Sequence, residues 1–234
     1  IGFAYLAVMV LMMSRSAKPY YLSPFYPVLF AAGALVFERV ARLRYAGWLR
    51  PATVIMLVLS GAALAPVAKP LLPVDTYVAY AERLGIAPGS DERHETGRLP
   101  QFFADMHGWQ ELAHAVAAVY DALPAEDRDR ACIFARHYGQ AGAIDFYGPG
   151  LGLPRAIAGH NNYWLWGPGD CDGGVMIVIG GEREDHERSF AVVEEAGLFT
   201  CRDCLPMEDN QVLYVCRDLR ASPADIWARV KHYD

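Results

Sequence analysis

Acidic residues are almost missing from the first third of this 234-residue chain: Glu38 is the only one before Asp75. Ionisable side chains of either sign are absent from Pro51 to Ala68, PATVIMLVLSGAALAPVA, and cysteine is absent before residue 132. Eighteen uncharged residues at 1.5 Å of rise cover about 27 Å, close to the hydrocarbon thickness of a bilayer. The stretch between Arg50 and Lys69 therefore reads as a membrane span rather than a buried helix of a large soluble protein. Other absences narrow the chemistry. No G-x-G-x-x-G fingerprint is present, which leaves a nucleotide role little support. No second close pair of Cys or His accompanies Cys201 and Cys204, which argues against a zinc site. No small-residue cleavage site follows the first apolar run, which argues against a cleaved signal peptide.

What is present divides the chain in two. Residues 1 to 73 hold seven Lys or Arg against one acid, a balance of +6, which leaves −12 for the remainder out of a chain total of −6. The mean hydropathy of +0.11 averages these unlike halves. A phosphate backbone would be repelled by the acidic half, so nucleic acid is excluded as a partner and the lipid bilayer takes its place.

The basic half reads as three spans, the first truncated at Ile1, so that the chain is expected to be the C-terminal fragment of a longer polytopic protein. Ile1 to Met13 is apolar but too short to span alone, and Ser14 to Lys18 is a polar turn. Pro19 to Phe37 is uncharged, with Tyr20, Tyr21 and Tyr26 at the end where amphipathic rings favour the headgroup level. Pro24 and Pro27 fall in its first turns, where a missing N–H costs least. The loop Glu38 to Arg50 carries four Arg against one Glu, and the Ser14 to Lys18 turn two positive charges. The longer loop is thus the cytoplasmic one, and the turn with everything after Pro73 lies outside the cytoplasm.

Residues 71 to 100 form a proline-rich linker with one short helix at Tyr77 to Leu84. Residues 101 to 234 alternate strand and helix, predicting a soluble α/β domain with a mainly parallel sheet. Trp109, Leu112, Val116 and Tyr120 recur at helical spacing over residues 109 to 122. ACIFAR (131 to 136), Pro154 to Ala158, VMIVI (175 to 179) and QVLYVCR (211 to 217) read as strands. A helix is expected after Tyr138 to about Tyr147, another from an Asp185 cap to Ala196, and a last one opened by Ser222-Pro223.

Several groups could carry chemistry. A bridge from Cys201 or Cys204 to Cys216 would staple a β-hairpin, and disulfides are permitted outside the cytoplasm. Cys201-x-x-Cys204 is also a redox spacing, although it does not open a helix after a strand. Cys132, in an expected buried strand, reads as a small core residue. The run Gly159-His160-Asn161-Asn162-Tyr163-Trp164-Leu165-Trp166-Gly167-Pro168 offers stacking faces and amide donors of the kind that hold sugar rings or polar headgroups. The plain alternative is a structural loop whose Trp residues seal the sheet or lie on the membrane. Tyr138-Gly139-Gln140-Ala141-Gly142 lies at a strand end, where open α/β sheets bind ligands. Tyr138, His160, Asn161, Tyr163 and Trp166 are the resulting candidates for ligand or acceptor binding. On the membrane side, Lys18 is either an interfacial anchor or a point charge for a lipid-linked phosphate.

The run Lys18-Pro19-Tyr20-Tyr21-Leu22-Ser23-Pro24-Phe25-Tyr26-Pro27, followed by an Ala/Gly-rich span, resembles the late transmembrane region of bacterial glycosyltransferase family 39 proteins. These are relatives of the protein O-mannosyltransferases and the lipid A aminoarabinose transferases. Phe103 to Trp109, Tyr138 to Asp145, Gly159 to Pro168, and Cys201, Cys204 and Cys216 look like the C-terminal domain attached to a subset of them. The resemblance implies an inverting membrane glycosyltransferase of the C type in a bacterial inner membrane, taking sugar from a polyprenyl-phosphate donor on the extracytoplasmic face. It places the essential acid in a first outer loop upstream of Ile1, so no carboxylate of this chain is expected to be catalytic. Lys18, with Tyr20 and Tyr21 beside it, is the candidate contact to the donor phosphate. The donor sugar, the acceptor and any divalent metal are left open.

Overall fold

The computed structural model describes residues 2–15, 19–90 and 94–233, which form two compact units, Ile1–Gln101 and Phe102–Asp234. In the first, α1 (Gly2–Ser14) is followed by a 3-10 turn over Pro19–Phe25, α2 (Tyr26–Ala41) and α3 (Leu49–Ala68). Two helical runs are long and apolar enough to cross a bilayer, Tyr20–Ala41 with 22 residues and Leu49–Ala68 with 20. The expected third span is not among them. The 13 residues of α1 rise only about 20 Å, short of the hydrocarbon thickness. Pro27 falls in the first turn of α2, where its missing N–H removes no intrahelical bond, whereas Pro24 sits inside the 3-10 turn.

The short helix expected within residues 71 to 100 is present. Helix α4 (Val74–Arg83) buries Tyr77 and Ala81, and the Tyr80 hydroxyl donates to the Ala63 carbonyl of α3 at 2.5 Å. Arg98 pairs with Asp75, which ties the end of the segment back to the first turn of α4. A single turn, α5 (Gln101–Ala104), leads out of it.

The second unit is built on one sheet. Helix α6 (Trp109–Ala122) buries Leu112, Ala113, Val116, Ala117 and Val119 on one stripe, as its periodicity requires, and the short α7 (Ala125–Arg128) leads into β1 (Ala131–Ala135). Then follow α8 (Tyr138–Tyr147), β2 (Ala156–Ala158), α9 (Asn161–Trp166), β3 (Val175–Ile179), α10 (Arg183–Ser189), β4 (Phe190–Phe199), β5 (Gln211–Leu219) and α11 (Pro223–Ile226). Strand order is β2-β1-β3-β5-β4. All five side chains of β3 are buried, which is why VMIVI runs without polar alternation. Ile133, Ile177 and Leu213 pack with α6 and α8 on one face, while Met176, Val178, Tyr214 and Cys216 form a smaller cluster on the other.

The sheet is mixed, not mainly parallel. β1 pairs in parallel with β2 and β3, but β5 runs antiparallel to both β3 and β4. The cause is local. The helix expected to continue from Asp185 to Ala196 ends at Ser189, and AVVEEA pairs along β5 instead. Helix-forming Ala and Glu are overruled by β-branched Val192 and Val193 and by charges laddered across the edge. Arg217 reaches Glu194 at 2.8 Å and Arg183 reaches Glu195 at 3.0 Å. Without a crossover helix between them, β4 and β5 can only be antiparallel neighbours.

The cysteines also pair otherwise than expected. Cys132 is bonded to Cys171 and Cys201 to Cys204, with Cα separations of 5.8 and 5.6 Å, while Cys216 is free and buried. A bridge to Cys216 is precluded by register. Phe199 pairs with Gln211 at the strand end, and Cys216 lies five residues further along β5, about 17 Å away at the strand rise. Burial pushes the Cys216 thiol up to about 12. Two disulfides suit an oxidising compartment.

Candidate functional site

The chain leaves β1 for β2 on one side and returns to β3 on the other, so the ends of β1 and β3 flank a topological switch point, where open sheets place ligands. His137 caps α8 there. Its Nδ1 accepts from the Gly139 N–H at 3.1 Å, and its Nε2 lies 2.6 Å from Oε1 of Glu208. Gln140, only 2% exposed, donates from Nε2 to the other Glu208 oxygen at 3.1 Å and accepts the Arg136 N–H on its own oxygen. Burial alone would raise the Glu208 carboxyl. The bonds from His137 and Gln140 and the Arg136 charge outweigh it and hold the group below the usual glutamate range. With both oxygens engaged, Glu208 orients the crevice and is not poised to take a proton.

His160 follows β2 and is 7% exposed. Its ring lies 5.0 Å from that of Tyr138 and stacks on His232 at 4.7 Å and 13°. His232 Nε2 lies 3.1 Å from the Arg136 carbonyl oxygen and Nδ1 lies 2.9 Å from that of Val230. The C-terminal segment thereby crosses the mouth of the crevice. It is pinned through the backbone as well, by His232 N–H to the Gly159 carbonyl and Asn161 N–H to the His232 carbonyl, both 3.1 Å. Gly159 is needed for this approach, since a Cβ there would lie 2.0 Å from the Val230 carbonyl oxygen.

The rest of the aromatic run is divided by α9. Trp164 turns toward the C-terminal segment, where Lys231 Nζ sits 3.9 Å above its ring. Tyr163 and Trp166 turn toward α8. The Tyr163 hydroxyl donates to Asp145 at 3.0 Å, as do Arg155 Nε at 3.2 Å and the Ala156 N–H at 2.9 Å. Burial first, and then the Asp145 charge, push the Tyr163 hydroxyl up to about 12. Trp166 lies 4.6 Å from Tyr163 and carries the Arg155 guanidinium 4.8 Å from its ring centre.

The expected ligand residues thus fall into two places along α8. Tyr138 and His160 meet in the crevice, Tyr163 and Trp166 form a surface platform, and Asn161, at φ +51°, gives its backbone to the C-terminal segment. Sequence reasoning missed His137, Gln140, Glu208 and His232 in the crevice and Asp145 and Arg155 at the platform. Gln140 and Asp145 lie inside a stretch that was singled out. Glu208 and His232 carry no local signal, because only the folded sheet brings them there. Tyr20 and Tyr21 pack edge to face at 4.9 Å in the 3-10 turn, and Lys18 lies outside the described residues. Among the described residues no group of three or more His, Cys, Asp or Glu is arranged to hold a metal ion. No family model, curated protein or solved structure matches this chain.

Proposed function

We propose that the chain belongs to a membrane glycosyltransferase that moves a sugar from a polyprenyl-phosphate donor to an acceptor outside the cytoplasm. The observation that carries this reading is the joining, in one chain, of two helices of membrane-spanning length to an α/β domain with two disulfides. Membrane attachment gives access to a lipid-linked donor, and disulfides belong where extracytoplasmic glycans are made. The resemblance of Lys18 to Pro27 to family 39 supplies the reaction class. In this reading Lys18 contacts the donor phosphate, Tyr20 and Tyr21 hold the turn at the headgroup level, and the crevice of Tyr138, His137 and His160 faces the acceptor.

A second reading is a membrane-anchored binding module that performs no transfer. The engaged Glu208 and Asp145 carboxylates suit such a module, which needs no base, and leave the transferase reading untouched, since the resemblance places its essential acid upstream of this chain. One measurement separates the two: transfer of labelled sugar from a polyprenyl-phosphate donor in membranes containing the protein with its upstream chain, wild type against Lys18→Ala. The transferase reading expects transfer that drops at least about tenfold with the substitution at equal expression, the loss of one charge-assisted phosphate contact. No transfer from any donor would leave the binding module.

A further inference from the structure

Three tryptophans lie close together in sequence or space around α9, and two are committed to structure. Trp164 and Trp227 bind each other's backbone, and Lys231 covers Trp164. Trp166 is placed differently. It is 58% exposed although Arg155 already lies over its ring, and among the described residues its indole N–H donates to no protein group. A ring that keeps more than half its surface in solvent with a guanidinium and a tyrosine against it still has apolar surface free for a further contact.

This ring is held still. Tyr163 packs its edge against Trp166, and Tyr163 and Arg155 are both fixed by Asp145, which is itself tied to the Ala156 N–H at the start of β2. The result is a flat apolar face bordered by hydrogen-bonding groups at fixed positions. A pyranose ring has the matching chemistry, with a C–H face that stacks on an aromatic ring and hydroxyls around its rim that meet the indole N–H. A nucleotide base could stack as well, but its phosphates would meet the −12 balance of the residues after 73.

We infer that Trp166, held by Arg155 over its ring and Tyr163 packed against it, is a stacking platform for a pyranose unit of a glycan. That this glycan is the acceptor rests on the transferase reading; the binding itself does not.

The test uses the whole chain in nanodiscs of phosphatidylethanolamine and phosphatidylglycerol, with mannohexaose and chitohexaose as probes and saturation-transfer NMR as readout. The expected result is transfer to the sugar C–H protons, lost or weakened more than about tenfold in Trp166→Ala and largely kept in Trp166→Phe, with the melting temperature unchanged in both. Failure of the wild type to bind either sugar, or unchanged binding in Trp166→Ala, overturns the proposal. Quenching of Trp166 by brominated lipid tails without sugar binding also overturns it, and makes the patch a membrane contact. The transferase reading is scored separately by the donor assay. Sugar binding without donor turnover sinks that reading and leaves the platform. Donor turnover unaffected by Trp166→Ala removes the acceptor role.

Discussion

Trp164 and Trp227, 63 positions apart, each donate the indole N–H to the other's main-chain carbonyl, both at 2.8 Å. This reciprocal pair fastens the C-terminal segment over α9, beside the His160–His232 stack. Replacing Trp227 with Phe removes one bond while the Trp164 carbonyl keeps the Gly167 N–H, at an expected cost of about 0.5–1.5 kcal/mol in chemical denaturation. The double substitution Trp164→Phe/Trp227→Phe should cost clearly less than the two single losses added, since loss of either bond already loosens the segment that the other holds. Additive losses would show that the two bonds do not act together.

Glu208 makes acid stability a property of the crevice. Its folded carboxyl is held below the ordinary value of 4.5, so the unfolded chain takes up this proton first as pH falls. The stabilisation is present above that value and is lost as pH drops through the folded one. Denaturation curves taken from neutral to acid pH should therefore show a decline that is shallower in Glu208→Gln, which keeps an acceptor for Gln140 but carries no charge. Equal slopes for the two proteins would detach acid stability from this residue.

The two disulfides should differ in their contribution. Cys132–Cys171 closes 39 residues around α8, β2 and α9, whereas Cys201–Cys204 closes three. On loop entropy the first constrains the unfolded chain by about 4 kcal/mol and the second by about 2. Cys132→Ala/Cys171→Ala should lower the unfolding free energy more than Cys201→Ala/Cys204→Ala. The short bridge carries a second dependence, because both its sulfurs press on Gly108, whose φ is +85° and where a Cβ would lie 2.4 Å from Cys204 Sγ. Gly108→Ala should thus destabilise the start of α6 even with both bridges intact.

Tyr163 should be among the last tyrosines to ionise. Its hydroxyl is raised to about 12 from 10.0, so the stabilisation it contributes is complete below 10.0 and is lost as pH rises through about 12. Asp145→Asn removes the charge that adds to burial, and ultraviolet titration should then show this tyrosine ionising earlier. An unchanged titration would mean that burial alone sets it.

Much of the fold is legible in one dimension, and the reasons are specific. The helix of residues 109 to 122 has an apolar stripe that nothing contradicts, and the strands at 131 and 175 are apolar runs too short to be helices. The stretch 190 to 196 was misread because its composition suits a helix, and its strand state depends on Arg217 and Arg183, which are distant in sequence. The cysteine pairing was misread for a related reason. An expected hairpin of neighbouring strands suggests Cys201 or Cys204 with Cys216, but a strand carries its residues apart at about 3.4 Å each.

The candidate site shows the same division. Aromatic density marked residues 159 to 168 and glycine spacing marked 138 to 142, because those signals are local. Which of these side chains face the crevice and which the surface was decided by α9, which sends Trp164 one way and Tyr163 and Trp166 the other.

Sequence by itself determined where apolar length suffices for a bilayer, where charge changes sign, and which elements pack by their own periodicity. These properties depend on neighbours a few residues apart. Tertiary structure alone decided the mixed sheet, the Cys132–Cys171 bridge, and the meeting of His137 with Glu208 and of His160 with His232. Such contacts join residues tens of positions apart, and register and burial select them only when the whole sheet has closed.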